Sequence, residues 1–146
     1  IFKGCTSLVD APVIPDSILD MSEAFLGDSN IYTASAFPES VEDISSAYAD
    51  CISLEKAASI PASVINCDSC YSGCSNLYGE LSINTNTEDC ANLLSNAVTS
   101  GKTLKLKGKS GRLFEIQQDS GSRYVTIKNT EKAEKNAKKL ERQNNQ

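Results

Sequence analysis

The six cysteines are the residues with the most evident chemistry. Cys67-x-x-Cys70-x-x-x-Cys74 has the spacing of metal-binding thiolates, and Cys90 would supply a fourth sulfur for a zinc site. The chain has no histidine and no tryptophan, so Ser-His-Asp and Cys-His nucleophile systems and imidazole-ligated metals are excluded. Gly101-Lys102-Thr103 resembles the end of a phosphate-binding loop, but Asn96 stands where the upstream glycine belongs. Gly108-Lys109-Ser110 fails in the same way, with Thr103 at that position, and both runs read as hairpin turns. The acidic residues offer no pair placed for acid–base work and no Asp-x-Asp-x-Asp-Gly calcium loop. The expectation is a chain with no catalytic residue, no cofactor and no metal.

Whatever these side chains do depends on the elements that hold them, and a repeat dominates the first two thirds. Residues 1–92 divide without a gap into four lines of 23 residues. An aromatic column runs through Phe2, Phe25, Tyr48 and Tyr71, and an aliphatic one through Leu8, Ile31, Leu54 and Leu77. A third column holds Ile14, Phe37, Ile60 and Ile83, followed by Pro15, Pro38, Pro61 and then Asn84. Ile18, Val41 and Val64 form a fourth, and Met21, Ile44, Cys67 and Cys90 a fifth. One such line cannot bury its apolar side alone, whereas stacked lines share a core. The stretch before each proline is expected to be extended and paired in parallel with its neighbour, the proline ending it for want of an N–H. Val41, Ile44 and Tyr48 are spaced by three and four, which predicts a short helical or 3₁₀ turn on the opposite side. The repeat also accounts for most cysteines: Cys5, Cys51 and Cys74 share one column, Cys67 and Cys90 another. Free thiols packed as small hydrophobes are the ordinary reading of such columns, with a disulfide between adjacent lines or a metal site as the alternatives.

The units GCTSLVDAPVIP and CISLEKAASIPASV resemble the leucine-rich repeats of the BspA-like, Treponema-type class. The resemblance covers residues 1–92, with Asp28 replacing the cysteine of the second line, and Asn84 and Glu80 departing in the fourth. It implies a non-enzymatic scaffold for recognition or adhesion, extracellular, cell-surface or virion-associated. The fold expected is α/β: a leucine-rich repeat solenoid of short parallel strands and short helical turns, then a small antiparallel β cap and a C-terminal helix. Ile1-Phe2 begins abruptly at the aromatic column, which suggests a processed product or a piece of a longer array.

Beyond residue 92 the columns fade. Three parts are expected: 1–92 as four repeats, 93–129 as a degenerate repeat with a β-meander cap, and 130–146 as a charged helix or tail. Asp89–Val98 reads as a short helix. Thr103–Lys107, Arg112–Gln117 and Arg123–Lys128 read as strands, because Leu104 and Leu106, Phe114 and Ile116, and Val125 and Ile127 alternate at period two. In 130–146 only Ala133, Ala137 and Leu140 form an apolar stripe, so a solvated helix competes with one that docks on a neighbouring chain.

Charge is divided between the halves: residues 1–92 carry 2 basic and 14 acidic residues, residues 93–146 carry 12 and 5. The acidic part repels phosphate and the acids of the tail dilute its basic charge, so no nucleic-acid partner is expected. No run approaches 18 apolar residues, so no membrane insertion is expected. The partner expected is a protein or glycan surface, met by side chains between the buried columns. Candidates are Asp10, Tyr32, Thr33, Glu55, Lys56 and Tyr78, the tyrosines having the amphipathic character of binding hot spots. The rival expectation is a structural or decoration subunit of a larger assembly, self-associating or docked through residues 130–146.

Overall fold

The computed structural model describes residues 12–144. The expected fold class is corrected by it. The regular elements among the described residues are three strands and two helices: β1 (Gly79–Ser82), β2 (Leu104–Lys107), α1 (Leu113–Ser120), β3 (Val125–Ile127) and α2 (Thr130–Asn144). The strands form one sheet in the order β1-β2-β3, parallel throughout, with Gly79 opposite Leu104 and Leu104 opposite Val125. The leucine-rich repeat solenoid with an antiparallel cap is therefore not the arrangement found: among the described residues no strand pair is antiparallel, and residues 12–78 carry isolated bridges instead of strands.

Those bridges are parallel and join residues 23 apart: Asp20 to Asp43, Asp43 to Asn66, Thr33 to Lys56 and Ile60 to Ile83. Proline explains why the Ile60–Ile83 bridge has no counterpart one line earlier, between Phe37 and Ile60. Pro38 and Pro61 have no N–H to give, whereas Asn84, in the same column, donates its N–H to Ile60 C=O at 3.0 Å. The first strand, β1, lies in the line that lacks the proline and pairs with β2 beyond it.

No helical turn follows the prolines. Met21, Glu23, Phe25 and Gly27 donate their N–H groups to the carbonyls of Asp43, Ser45, Ala47 and Ala49, each 22 residues on, at 2.7–2.9 Å. Tyr48 and Asp50 donate likewise to Cys70 and Ser72, and Tyr71 and Gly73 to Leu93 and Ser95. Alternate residues close local turns instead, as Ala47 N–H does onto Ile44 C=O. Keeping every second N–H directed sideways requires left-handed residues: Glu23, Ser46 and Ser69 have φ of 57°, 54° and 60°, and Asp50 has φ of 60°. Gly73 occupies such a position (φ 76°), and a Cβ there would collide with the Asp50 carboxylate. The helix expected over Asp89–Val98 is also a run of turns, with Asn96 and Val98 at φ 61° and 54°.

The core follows the sequence columns. Ile31, Leu54 and Leu77 are fully buried, as are Ile44 and Cys67. Phe25 stacks on Tyr48 with ring centroids 4.9 Å apart, and Tyr48 on Tyr71 at 5.7 Å. Each phenol spans the interior to the line before its own: Tyr48 Oη accepts from Ser35 N–H at 2.9 Å, and Tyr71 Oη accepts from Ala58 N–H and donates to Ala58 C=O, both at 2.8 Å.

Arg112–Gln117, expected as the middle strand of a meander, is the start of α1. Leu113, Ile116 and Ser120 are its buried residues, so the helical spacing wins over the Phe114/Ile116 alternation. Gly121, at φ 68°, closes the helix, and Gln117 donates to Val125 C=O at 3.0 Å. A helix between β2 and β3 also lets them run parallel, which a tight hairpin forbids. Asn129 Oδ1 accepts from Lys132 N–H and starts α2, whose Ala133 is buried. α2 lies against its own chain: a Cβ at Gly111 would sit 2.7 Å from Asn136 C=O and 2.8 Å from Leu140 Cβ.

Two stability predictions follow from these contacts. Tyr71→Phe strands a buried N–H and C=O of Ala58 and should cost about 1–3 kcal/mol in urea unfolding, more than Tyr48→Phe, whose hydroxyl serves one N–H. Gly111→Ala should cost about 1–3 kcal/mol by overpacking, with hydrogen exchange in α2 accelerated ahead of the sheet.

Candidate functional site

The backbone pairing sets the proposed recognition residues in two rows. Glu55 N–H donates to Tyr32 C=O at 2.8 Å and Tyr78 N–H to Glu55 C=O at 3.1 Å, so Tyr32, Glu55 and Tyr78 lie on successive segments. Thr33 and Lys56 are paired in the adjoining row. Asp10 belongs to that row by its 23-residue spacing but lies outside the described residues. The residues just before, Ile31, Leu54 and Leu77, are fully buried, which anchors the rows from beneath. Tyr32 is 51% exposed, Thr33 and Lys56 are exposed, and Glu55 and Tyr78 are half-buried. Tyr78 is covered by Lys102, whose Nζ lies 4.5 Å from the ring centroid. Lys102 is read from the sequence as part of a turn and not as a recognition residue; it arrives through the pairing of Gly79 N–H with Thr103 C=O at 2.9 Å.

The cysteines form no such surface. Cys51, Cys67, Cys70, Cys74 and Cys90 are free and buried. Cys51 Sγ donates to Phe25 C=O at 3.1 Å and Cys74 Sγ to Tyr48 C=O at 3.0 Å. Both thiols in this column are thus turned toward backbone rather than toward each other. Among the described residues no three cysteine, aspartate or glutamate side chains are grouped to hold a metal ion. Burial pushes the Cys51 and Cys67 thiols up to about 12 and Cys90 to about 11 from an ordinary 9.0, and drives Cys70 and Cys74 well up. Thiols held protonated are poor nucleophiles and poor ligands.

The second cluster was not legible as a site. Glu80 on β1 accepts from Lys107 Nζ at 2.8 Å and pairs with Lys128 Nζ at 2.9 Å. The hydrogen bonds from Lys107 and then Lys128 hold its carboxyl down at about 2. Just beyond, at the carboxyl ends of the strands, an open pocket of about 470 Å³ is lined by Lys107, Lys109, Lys128 and Lys132.

No protein-family model matches the chain, and neither the curated proteins nor the solved structures yield a match. The resemblance to BspA-like repeats therefore stands on the quoted residues alone. Among the described residues, no helix is long and apolar enough to cross a membrane.

The thiols generate a prediction with a definite sign. Their folded values lie above the unfolded one, so the stability gained by keeping them neutral is complete below pH 9. It is lost as pH rises toward 11–12, the folded values of Cys90, Cys51 and Cys67. Urea midpoints should be flat from pH 7 to 9 and fall above it. At pH 7 a thiol reagent should label the five described cysteines only at the rate of unfolding.

Proposed function

We propose that the chain is a non-enzymatic recognition module that presents an exposed face to a protein or glycan on a surface, in an extracellular, cell-surface or virion-associated setting. The observation in support is the pair of aligned outward rows, Tyr32–Glu55–Tyr78 and Thr33–Lys56. Their backbone is fixed by inter-segment hydrogen bonds and their neighbours are buried, so little ordering entropy is lost on binding. Tyrosine supplies contact area with a polar tip, and Glu55 beside Lys56 supplies charges of both signs for register. The cysteine thiols are buried and the chain has no histidine, so thiolate and imidazole chemistry have no support here. The alternative of an assembly subunit docked through residues 130–146 has less in its favour, because α2 packs on Gly111 of its own chain.

The test is a binding screen of the full chain on arrays of surface glycans and surface proteins, repeated with Tyr32→Ala and Lys56→Glu. The expected result is a ligand whose affinity falls at least about tenfold with Tyr32→Ala, the size of a modest hot spot. A ligand bound equally by both variants would sink the assignment of this face.

A further inference from the structure

The lysine pocket stands at the carboxyl ends of β1, β2 and β3, where the chain leaves the sheet and enters α2. Lys107 and Lys128 come from the strand ends, Lys109 from the following loop and Lys132 from the first turn of α2. No carboxylate lines the pocket. Glu80 neutralises one charge of the four and holds the Lys107 and Lys128 ammonium groups in place. Lys109 and Lys132 make no ion pair among the described residues. Asn84 and Asn129 are oriented as well: each carboxamide oxygen accepts a backbone N–H at 3.0 Å, from Lys109 and Lys132 respectively, which leaves each Nδ2 as a donor. Leu106 and Ile127 give the wall an apolar portion.

Four lysines line one concave site with Glu80 as the partner of two of them, and an anion relieves the repulsion among the remaining positive charge. A volume of about 470 Å³ exceeds what a bare ion needs and falls within the range of small-molecule pockets. The N-terminal end of α2 adds its partial positive charge on the same side. We infer that this pocket binds a small organic oxyanion ester, a phosphate or sulfate monoester, with its anionic head among Lys107, Lys109, Lys128 and Lys132 and its body on the apolar wall. The site is separate from the strand face and stands whether or not that face proves to be a recognition surface.

The experiment is an amide-shift titration of the full chain with phenyl phosphate, phenyl sulfate and inorganic phosphate at low salt. Saturable shifts confined to residues around the pocket are expected, with at least one phenyl ester bound several-fold more tightly than inorganic phosphate. The ester that binds better identifies the head group. Lys109→Glu with Lys132→Glu should weaken binding at least tenfold, while Lys135→Glu with Lys138→Glu, the same charge change elsewhere on α2, should leave it within twofold. All four side chains are exposed, and circular dichroism checks that both variants remain folded. Three results would each overturn the inference: shifts spread evenly over all lysines, equal affinity for inorganic phosphate and both esters, or equal losses in the two double variants.

Discussion

Lateral pairing of the backbone between segments 22 or 23 residues apart is the constraint on which the rest of this structure depends. In residues 21–28, 44–51 and 67–74 it replaces helix and strand as the means of satisfying peptide groups, because alternate N–H groups point to the next segment while the others close turns. The alternation forces left-handed φ at Glu23, Ser46 and Ser69, a conformation that costs ordinary residues free energy and persists where the neighbours over-determine it. Pairing at a fixed interval also puts like side chains in columns. Phe25, Tyr48 and Tyr71 stack for that reason, and Cys51 and Cys74 repeat one hydrogen bond, thiol to carbonyl, one segment apart.

Burial was legible in the sequence because a column needs only the period. Ile31, Leu54 and Leu77, or Ile44 and Cys67, declare themselves whatever backbone conformation carries them. The conformation itself was not legible. Val41, Ile44 and Tyr48 have helical spacing, yet spacing by three and four also fits consecutive turns, and no residue type marks Glu23 or Ser46 as left-handed. Arg112–Gln117 shows the opposite difficulty. Phe114 and Ile116 alternate as in a strand, and only the burial of Leu113 with Ile116 and Ser120 decides for α1. Once that segment is a helix, β2 and β3 are joined by a crossover and can run parallel, so one misread element reversed the strand direction expected of the cap.

The same distinction separates the two candidate sites. The rows of Tyr32, Glu55 and Tyr78 and of Thr33 and Lys56 follow from the period, and their juxtaposition could be read before any coordinates. The lysine pocket draws on residues 82–84, 106–109 and 127–133. Their separations match no period, and they converge only because α1 returns the chain beside β2. A site built by a crossover is invisible to an argument from repeats.

The division of charge along the chain takes on a different meaning in this light. It suggests two parts with different surroundings, but the sheet runs across it: β1 lies in the acidic part and pairs with β2 in the basic part. Glu80 is one acidic residue that pairs across the change, as Glu88 does with Arg112, and it is shared by Lys107 and Lys128. An exposed ion pair of this kind contributes little to stability on its own. Its larger effect is geometric, since one carboxylate between two ammonium groups fixes where both can stand. Lys109 and Lys132 line the same pocket as those two lysines and add positive charge to it. Uneven charge in this chain thus describes less a pair of domains than one sheet whose last edge, through a single carboxylate, has its lysines arranged toward a concave surface.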